Sequence, residues 1–336
     1  MASLTATRGS HMITYLIRRI LYAIPILVGV NLLTFALFFV INTPDDMARM
    51  QLGMKRVTEE SIVKWKQQRG YDKPLMFNSQ AIGTGLVTDT IFFQKSASMF
   101  VFDFGYSDDG RNISREIVTR MWPSLAIALP TFVMGILLYV TFALLMTLFR
   151  GSLLDMAGVT LCVLLMSISS LFYIISGQFM VSKLWHLVPI SGYTGGLDSL
   201  RFIVLPVMIG VVSGIGSSSR WYRTIFLEEV GRDYVRTARS KGLSELHVMF
   251  KHVLKNAMIP ILTGVVAVIP LLFMGSLLTE SFFGIPGLGS YTIDAIQAQD
   301  FGVVRAMVFL GSALYIAGLI LTDISYTVVD PRVRLQ

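Results

Sequence analysis

Residues 234–262 read YVRTARSKGLSELHVMFKHVLKNAMIPIL. The stretch is long, basic and amphipathic, and strongly apolar sequence stands on both sides of it. Leu243, Leu246, Met249, Phe250 and Val253 recur at helical spacing. Gly242 interrupts what would otherwise be one continuous helix. A glycine there costs roughly 1 kcal/mol against alanine and permits a sharp turn. The pattern therefore predicts two short helices meeting at an elbow near Gly242. Between two membrane spans, such an elbow has two destinations. It lies against the anionic bilayer surface, held by its basic side chains, or it docks onto another protein.

The flanking sequence makes the membrane reading firm. Of 336 residues, 54% are hydrophobic and only 15% charged, which excludes an ordinary soluble domain. A run of roughly 20 apolar residues crosses the hydrocarbon layer as a helix. Runs at about 20–41, 123–149, 156–181, 202–219, 257–279 and 302–326 predict six spans in an all-α polytopic membrane protein. The net charge of +7 then reads as Lys and Arg kept on the cytoplasmic side, not as nucleic-acid binding. Arg18 and Arg19, the Arg150 turn, the basic segment 220–256 and the Arg332/Arg334 tail all fall on one side of a six-span topology. That side is cytoplasmic, and both termini with it. Residues 1–11 read as a leader added for expression. Residues 12–41 form the N-terminal segment and first span, 42–121 an extracytoplasmic loop, and 122–336 the core with spans two to six. Cys162 stands alone, so no intramolecular disulfide forms.

Local signals refine this. Thr58 before Glu59 and Glu60, with Gly70 beyond, predicts a helix over 59–69. Ser114 is read as the cap of a short helix running to Met121. Gly210, Gly214 and Ser218 are four apart and allow close helix approach, within this chain or to a partner. Asn31, Ser167, Ser169, Ser170, Gln178, Ser213 and Ser276 are intramembrane polar residues. Asn31, Ser170, Gln178, Ser213 and Ser276 are the candidates for a translocation path, although hydroxyls in spans often bond their own helix. Glu280 and Asp323 fall near span ends and read as interfacial. The span centres carry almost no charge, which argues against a proton relay. His247 and His252 are five apart, which does not place them on one α-helical face as a metal pair. No Gly-x-x-x-x-Gly-Lys-Ser/Thr loop is present, so ATP-driven transport would need its ATPase elsewhere.

The pattern formed by Tyr234, Arg236, Thr237, Ala238, Arg239, Lys241, Gly242 and Leu243, followed by Lys251-His252 and Leu254-Lys255-Asn256-Ala257, resembles the cytoplasmic EAA-type loop of bacterial ABC importer permeases. It is most similar to the dipeptide/oligopeptide/nickel family and to the first of its two permease subunits. Tyr15-Leu16-Ile17-Arg18-Arg19-Ile20, Gly70-Tyr71-Asp72-Lys73-Pro74-Leu75, Asp103-Phe104-Gly105-Tyr106-Ser107, Phe283-Gly284-Ile285-Pro286-Gly287-Leu288-Gly289 and Asp330-Pro331-Arg332 match in the same order. The segment 77–101 is longer than the family pattern. The resemblance implies a type I importer permease fold in the bacterial inner membrane, with the eight residues from Tyr234 to Leu243 coupling to an ATPase. It implies no catalytic, metal or cofactor residues in this chain, and ATP-Mg on partner subunits. The partners would be a second related permease, two ABC ATPase subunits or domains and an extracytoplasmic solute-binding protein. The cargo would be peptide, with nickel or a metal chelate as the alternative. A secondary transporter would show inverted repeats and matched broken spans; no repeat is visible. A membrane enzyme or nucleic-acid binder fits less well.

Overall fold

The computed structural model describes residues 2–53 and 57–329. The Asp330-Pro331-Arg332 motif and the Arg332/Arg334 tail lie outside them. Every regular element among the described residues is helical, with one isolated bridge between Tyr106 and Asn112.

The first span lies in α1 (Ala2–Phe35), which continues as a π-helical turn over Ala36–Ile41. Thr43 then caps α2 (Pro44–Leu52) in a reciprocal capping box with Asp46, and proline occupies the first helical turn. Helix α3 (Glu59–Arg69) starts at Thr58 and stops at Gly70 in a left-handed conformation, as its sequence predicts. Short α4 (Gly85–Thr88) and α5 (Ile91–Lys95) occupy the extended loop.

The second span differs from expectation. It is not a span preceded by a separate short helix. Instead α6 runs unbroken over Ile113–Leu148 with Pro123 and Pro130 inside it. Asn112 accepts the Arg115 N–H at its start at 3.0 Å. Ser114 instead accepts from the Phe104 N–H and donates to the Phe102 carbonyl. Membrane helices tolerate such prolines where neighbours cover the freed groups.

The third span is broken. Helices α7 (Leu153–Met166) and α8 (Ser170–Gly177), the latter continued by a π-helical turn over Gln178–Leu184, meet at 87°. Ser167 donates back to Val163, while Ser169 caps α8 by accepting the Phe172 N–H. These serines offer the backbone local partners that compete with a continuous helix. Helix α9 (Leu200–Val230) carries the fourth span well past Ser219. After α10 (Asp233–Ser240) come α11 (Glu245–Val248), a π-helical segment over Met249–Leu254, α12 (Lys255–Val268) and a 3-10 turn over Ile269–Met274. The second arm of the elbow is therefore continuous with the fifth span. Then follow α13 (Leu277–Phe283), α14 (Leu288–Gln297) and α15 (Phe301–Val329). Among the described residues five helices are long and apolar enough to cross a membrane, and the bent α7–α8 pair passes the same test when taken as one span, which makes up to six.

The chain forms two compact units, Met1–Arg120 with Tyr291–Ala317, and Met121–Ser290 with Gly318–Gln336. In the first, Phe35, Phe39, Met47, Ile62, Trp65 and Ile91 make a small aromatic-rich core. Asn31 is 1% exposed there and donates to the Ser96 carbonyl at 2.9 Å. Arg305, 3% exposed, lies 4.8 Å over the Phe39 ring and donates to the Lys95 carbonyl. In the second, α7, α8 and α12 pack on α9. Gly210 and Gly214 serve this internal packing: a Cβ at Gly214 would sit 2.3 Å from the Tyr139 hydroxyl, and one at Gly210 2.7 Å from Thr131.

Candidate functional site

Three groups of side chains in the second unit carry the chemistry. The first is the elbow. Helix α10 ends at Ser240, and Gly242 turns the chain with φ +76°, a conformation that disfavours L side chains. Val235 and Ala238 from one arm and Val248, Met249 and Val253 from the other are buried in the unit's core. Arg239 closes the bend with a bidentate pair to Glu245, Nε to Oε1 at 2.8 Å and Nη2 to Oε2 at 3.2 Å. The eight predicted residues thus divide. Ala238, 4% exposed, faces inward. Tyr234 is half-buried and donates to Glu229; burial, then that hydrogen bond, push its phenol up to about 12. Arg236, Thr237, Lys241, Gly242 and Leu243 are exposed, and Arg239 is committed to Glu245. Leu246 and Phe250, placed by periodicity on the apolar face, are also exposed.

The free basic face is smaller than the sequence suggests. Arg223 makes a bidentate pair with Asp155 at 3.1 and 2.9 Å, joining α9 to the start of α7. The histidines also differ from expectation. Their ring centroids are 6.4 Å apart because the chain between them enters the π-helical segment, whose i→i+5 register places residues five apart on one side. Among the described residues no group of three or more His, Cys, Asp or Glu side chains is placed to hold a metal.

The second group is a cavity of about 540 Å³ between α6, α9 and the end of the fifth span. Ser170, Ser213 and Ser276 line it together with Ser124, Thr131, Tyr139 and Thr279. Three of the five path candidates meet there. The other two do not: Asn31 belongs to the first unit, and Gln178 donates to the Ile190 and Phe282 carbonyls at 3.1 and 3.0 Å. Ser213 also donates to Gly210 at 3.0 Å, so its hydroxyl proton stays within α9.

The third group borders this cavity and escaped the sequence reading. Glu280, placed near a span end by the sequence, is buried within the protein and 1% exposed. Its Oε1 accepts the Ser276 N–H at 3.2 Å and its Oε2 the Ser290 N–H at 3.1 Å, with further bonds from Ser124 and the Gly289 backbone. The carboxylate thus sits at the N-terminus of α14, where the helix dipole favours negative charge. Ser124 accepts the Leu288 N–H at 2.8 Å, so α6 joins the same knot. Gly275 and Gly287 crowd the carboxyl so closely that a Cβ at either would fall 1.8 or 2.2 Å from its oxygens. Burial raises the Glu280 pKa; the hydrogen bonds work against that rise without cancelling it. The glycines at 275, 284, 287 and 289 around one acid were the sequence signal for it.

Comparison with known proteins agrees with this architecture. Residues 110–335 match the family model described as binding-protein-dependent transport system inner membrane component, and residues 12–129 match the model of its N-terminal part. A peptide transport system permease protein of Brucella suis is 33% identical over 96% of this chain and 99% of its own length. The glutathione transport system permease protein GsiC of Salmonella choleraesuis is 30% identical over 97% of this chain and all of its own. The dipeptide transport system permease protein DppB of Escherichia coli K12 is 27% identical over 96% and 99%. Five to six membrane-length apolar helices among the described residues and a match over nearly the whole length place this chain in the family of inner membrane components of binding-protein-dependent transport systems.

Proposed function

We propose that this chain is one of two related permease subunits of an ATP-driven importer that moves peptides inward across the bacterial inner membrane. The peptide, dipeptide and glutathione permeases to which it is similar support that cargo. Its termini and elbow face the cytoplasm, where two ABC ATPase subunits bind and hydrolyse ATP-Mg. A solute-binding protein delivers cargo on the other side. The observation that carries the reading is the elbow: an exposed bend of Arg236, Thr237, Lys241, Gly242 and Leu243 seated on buried Val235, Ala238, Val248, Met249 and Val253. Its outer side is free for a partner, and its inner side is fixed to the span bundle. Closure of the ATPases pushes the bend, and the second arm transmits the push into the fifth span. The hydroxyl-lined cavity beside Ser170, Ser213 and Ser276 is this subunit's share of the path. Among the described residues its lining mixes hydroxyls with apolar side chains such as Ile127, Phe132 and Leu271 and the acid Glu280, with no cation, as suits cargo of varied side chains.

Gly242→Asp tests this. Aspartate is among the side chains that best tolerate positive φ, and a Cβ at Gly242 meets open space. The fold should therefore survive while the bend gains a negative charge. In proteoliposomes holding the assembled importer, ATP hydrolysis should persist while uptake falls by at least tenfold. Full uptake by this variant would refute the coupling role.

A further inference from the structure

A second cavity, of about 270 Å³, lies where α6 ends and the elbow begins. Thr147, Arg150, Val230, Arg239, Glu245 and Met249 line it. Arg150 is exposed, and among the described residues it has no carboxylate within ion-pair distance. Arg239 and Glu245 neutralise each other, so the pocket carries one uncompensated positive charge. Strongly exposed apolar side chains continue on either side in sequence, Leu153 and Leu154 after Arg150, and Leu246 and Phe250 after Glu245. A cation in a small polar pocket with apolar flanks matches a lipid headgroup joined to its chains, and basic pockets between spans on the cytoplasmic side bind anionic headgroups.

We infer that this pocket binds the phosphodiester headgroup of an anionic phospholipid of the inner leaflet. One net positive charge matches the single negative charge of a phosphodiester. Arg150 supplies the contact, and the Arg239–Glu245 pair closes the opposite wall, so an occupied pocket would brace the elbow against the end of α6. The inference rests on the cytoplasmic placement of the elbow.

The full-length protein, purified in mild detergent with phosphatidylglycerol or phosphatidylcholine, tests it by native mass spectrometry. Phosphatidylglycerol should be retained preferentially, and Arg150→Gln should lower its retention about fivefold. Arg150→Lys should keep it, and Lys251→Gln, outside the pocket lining, should not change it. Glu245→Gln frees Arg239 and should raise retention. Inorganic phosphate should not strip the lipid; stripping at millimolar phosphate would reassign the pocket to a free anion. Equal retention by wild type and Arg150→Gln, equal retention of phosphatidylcholine, or a fall in Glu245→Gln would overturn the lipid site. Labelling of a Lys251→Cys variant in right-side-out and inverted vesicles reads the sidedness separately, because native Cys162 is buried. Labelling from the outer face alone overturns the topology; cytoplasmic labelling with unchanged lipid binding overturns only the lipid site.

Discussion

The elbow and the Glu280 knot are both built around acidic side chains, yet they handle charge in opposite ways. At the elbow, Glu245 meets Arg239 at the surface, with the two side chains 57% and 41% exposed. In the knot, Glu280 has no cationic partner in its hydrogen-bond shell among the described residues; its oxygens are held by backbone N–H groups and one serine, out of reach of solvent. An exposed ion pair is screened and contributes about 0–1 kcal/mol. A buried carboxylate surrounded by committed donors is a different object, because removing it strands those donors. The elbow therefore keeps its charge where another surface can meet it. The knot uses charge to fix the chain.

The sharpest way to break this contrast is Glu280→Ala. It leaves the donors of Ser276, Ser290 and Gly289 without an acceptor and should destabilise the protein by about 3 kcal/mol or more, at about 1–3 kcal/mol per stranded donor, read as thermal unfolding in detergent. A loss below about 1 kcal/mol would put the knot on the same footing as the elbow pair.

A smaller effect is the pH response. Burial holds the folded pKa of Glu280 above its unfolded value. The folded state then binds the proton more tightly, so this group's contribution is most favourable below the unfolded pKa. It declines as pH rises through the folded one. Between mildly acidic and neutral pH the melting temperature of the wild type should fall relative to that of Glu280→Gln, which cannot titrate. Parallel curves for the two proteins would remove titration of Glu280 as a contributor.

The smallest effect belongs to the elbow: Arg239→Gln should change stability by less than about 1 kcal/mol, measured by the same unfolding assay. A loss as large as that of Glu280→Ala would mean that the exposed pair, not the buried seat, holds the bend.

The same contrast explains what could be read from the sequence. The apolar runs, the Thr58 cap with its Gly70 stop, and the break at Gly242 are local signals, and each corresponds to an element found in the structure. The capping box at Thr43 and Asp46 is equally local, but it stands in a stretch whose composition reads only as a polar loop. Other features have no local signature. Ser167-Ile168-Ser169 barely dents an apolar run, yet it turns the third span by 87°. Pro123 and Pro130 suggest a boundary, and α6 runs through both. The register that brings His247 to His252 is π-helical, and α-periodicity cannot foresee it. The position of Glu280 at a span end is visible in the sequence, but its burial is not, because its partners Ser124 and Ser290 come from other helices. Cavity lining is likewise a property of several helices at once, which is why Ser170, Ser213 and Ser276 meet while Asn31 and Gln178 do not.

The helical path from Glu245 to Met274 has a consequence for mechanics. Its middle, Lys255–Val268, is α-helix with Pro260 inside it, while Met249–Leu254 is wound wider and Ile269–Met274 tighter. Irregular registers yield more readily than an α-helix, whose hydrogen bonds share a load along the axis. The path therefore departs from an uninterrupted α-helical ladder at three places, its two ends and Pro260. Beyond the 3-10 turn Glu280 ties the chain down through the Ser276 N–H, so under the proposed coupling a push on the elbow ends at the Gly275–Ser276 border of the cavity.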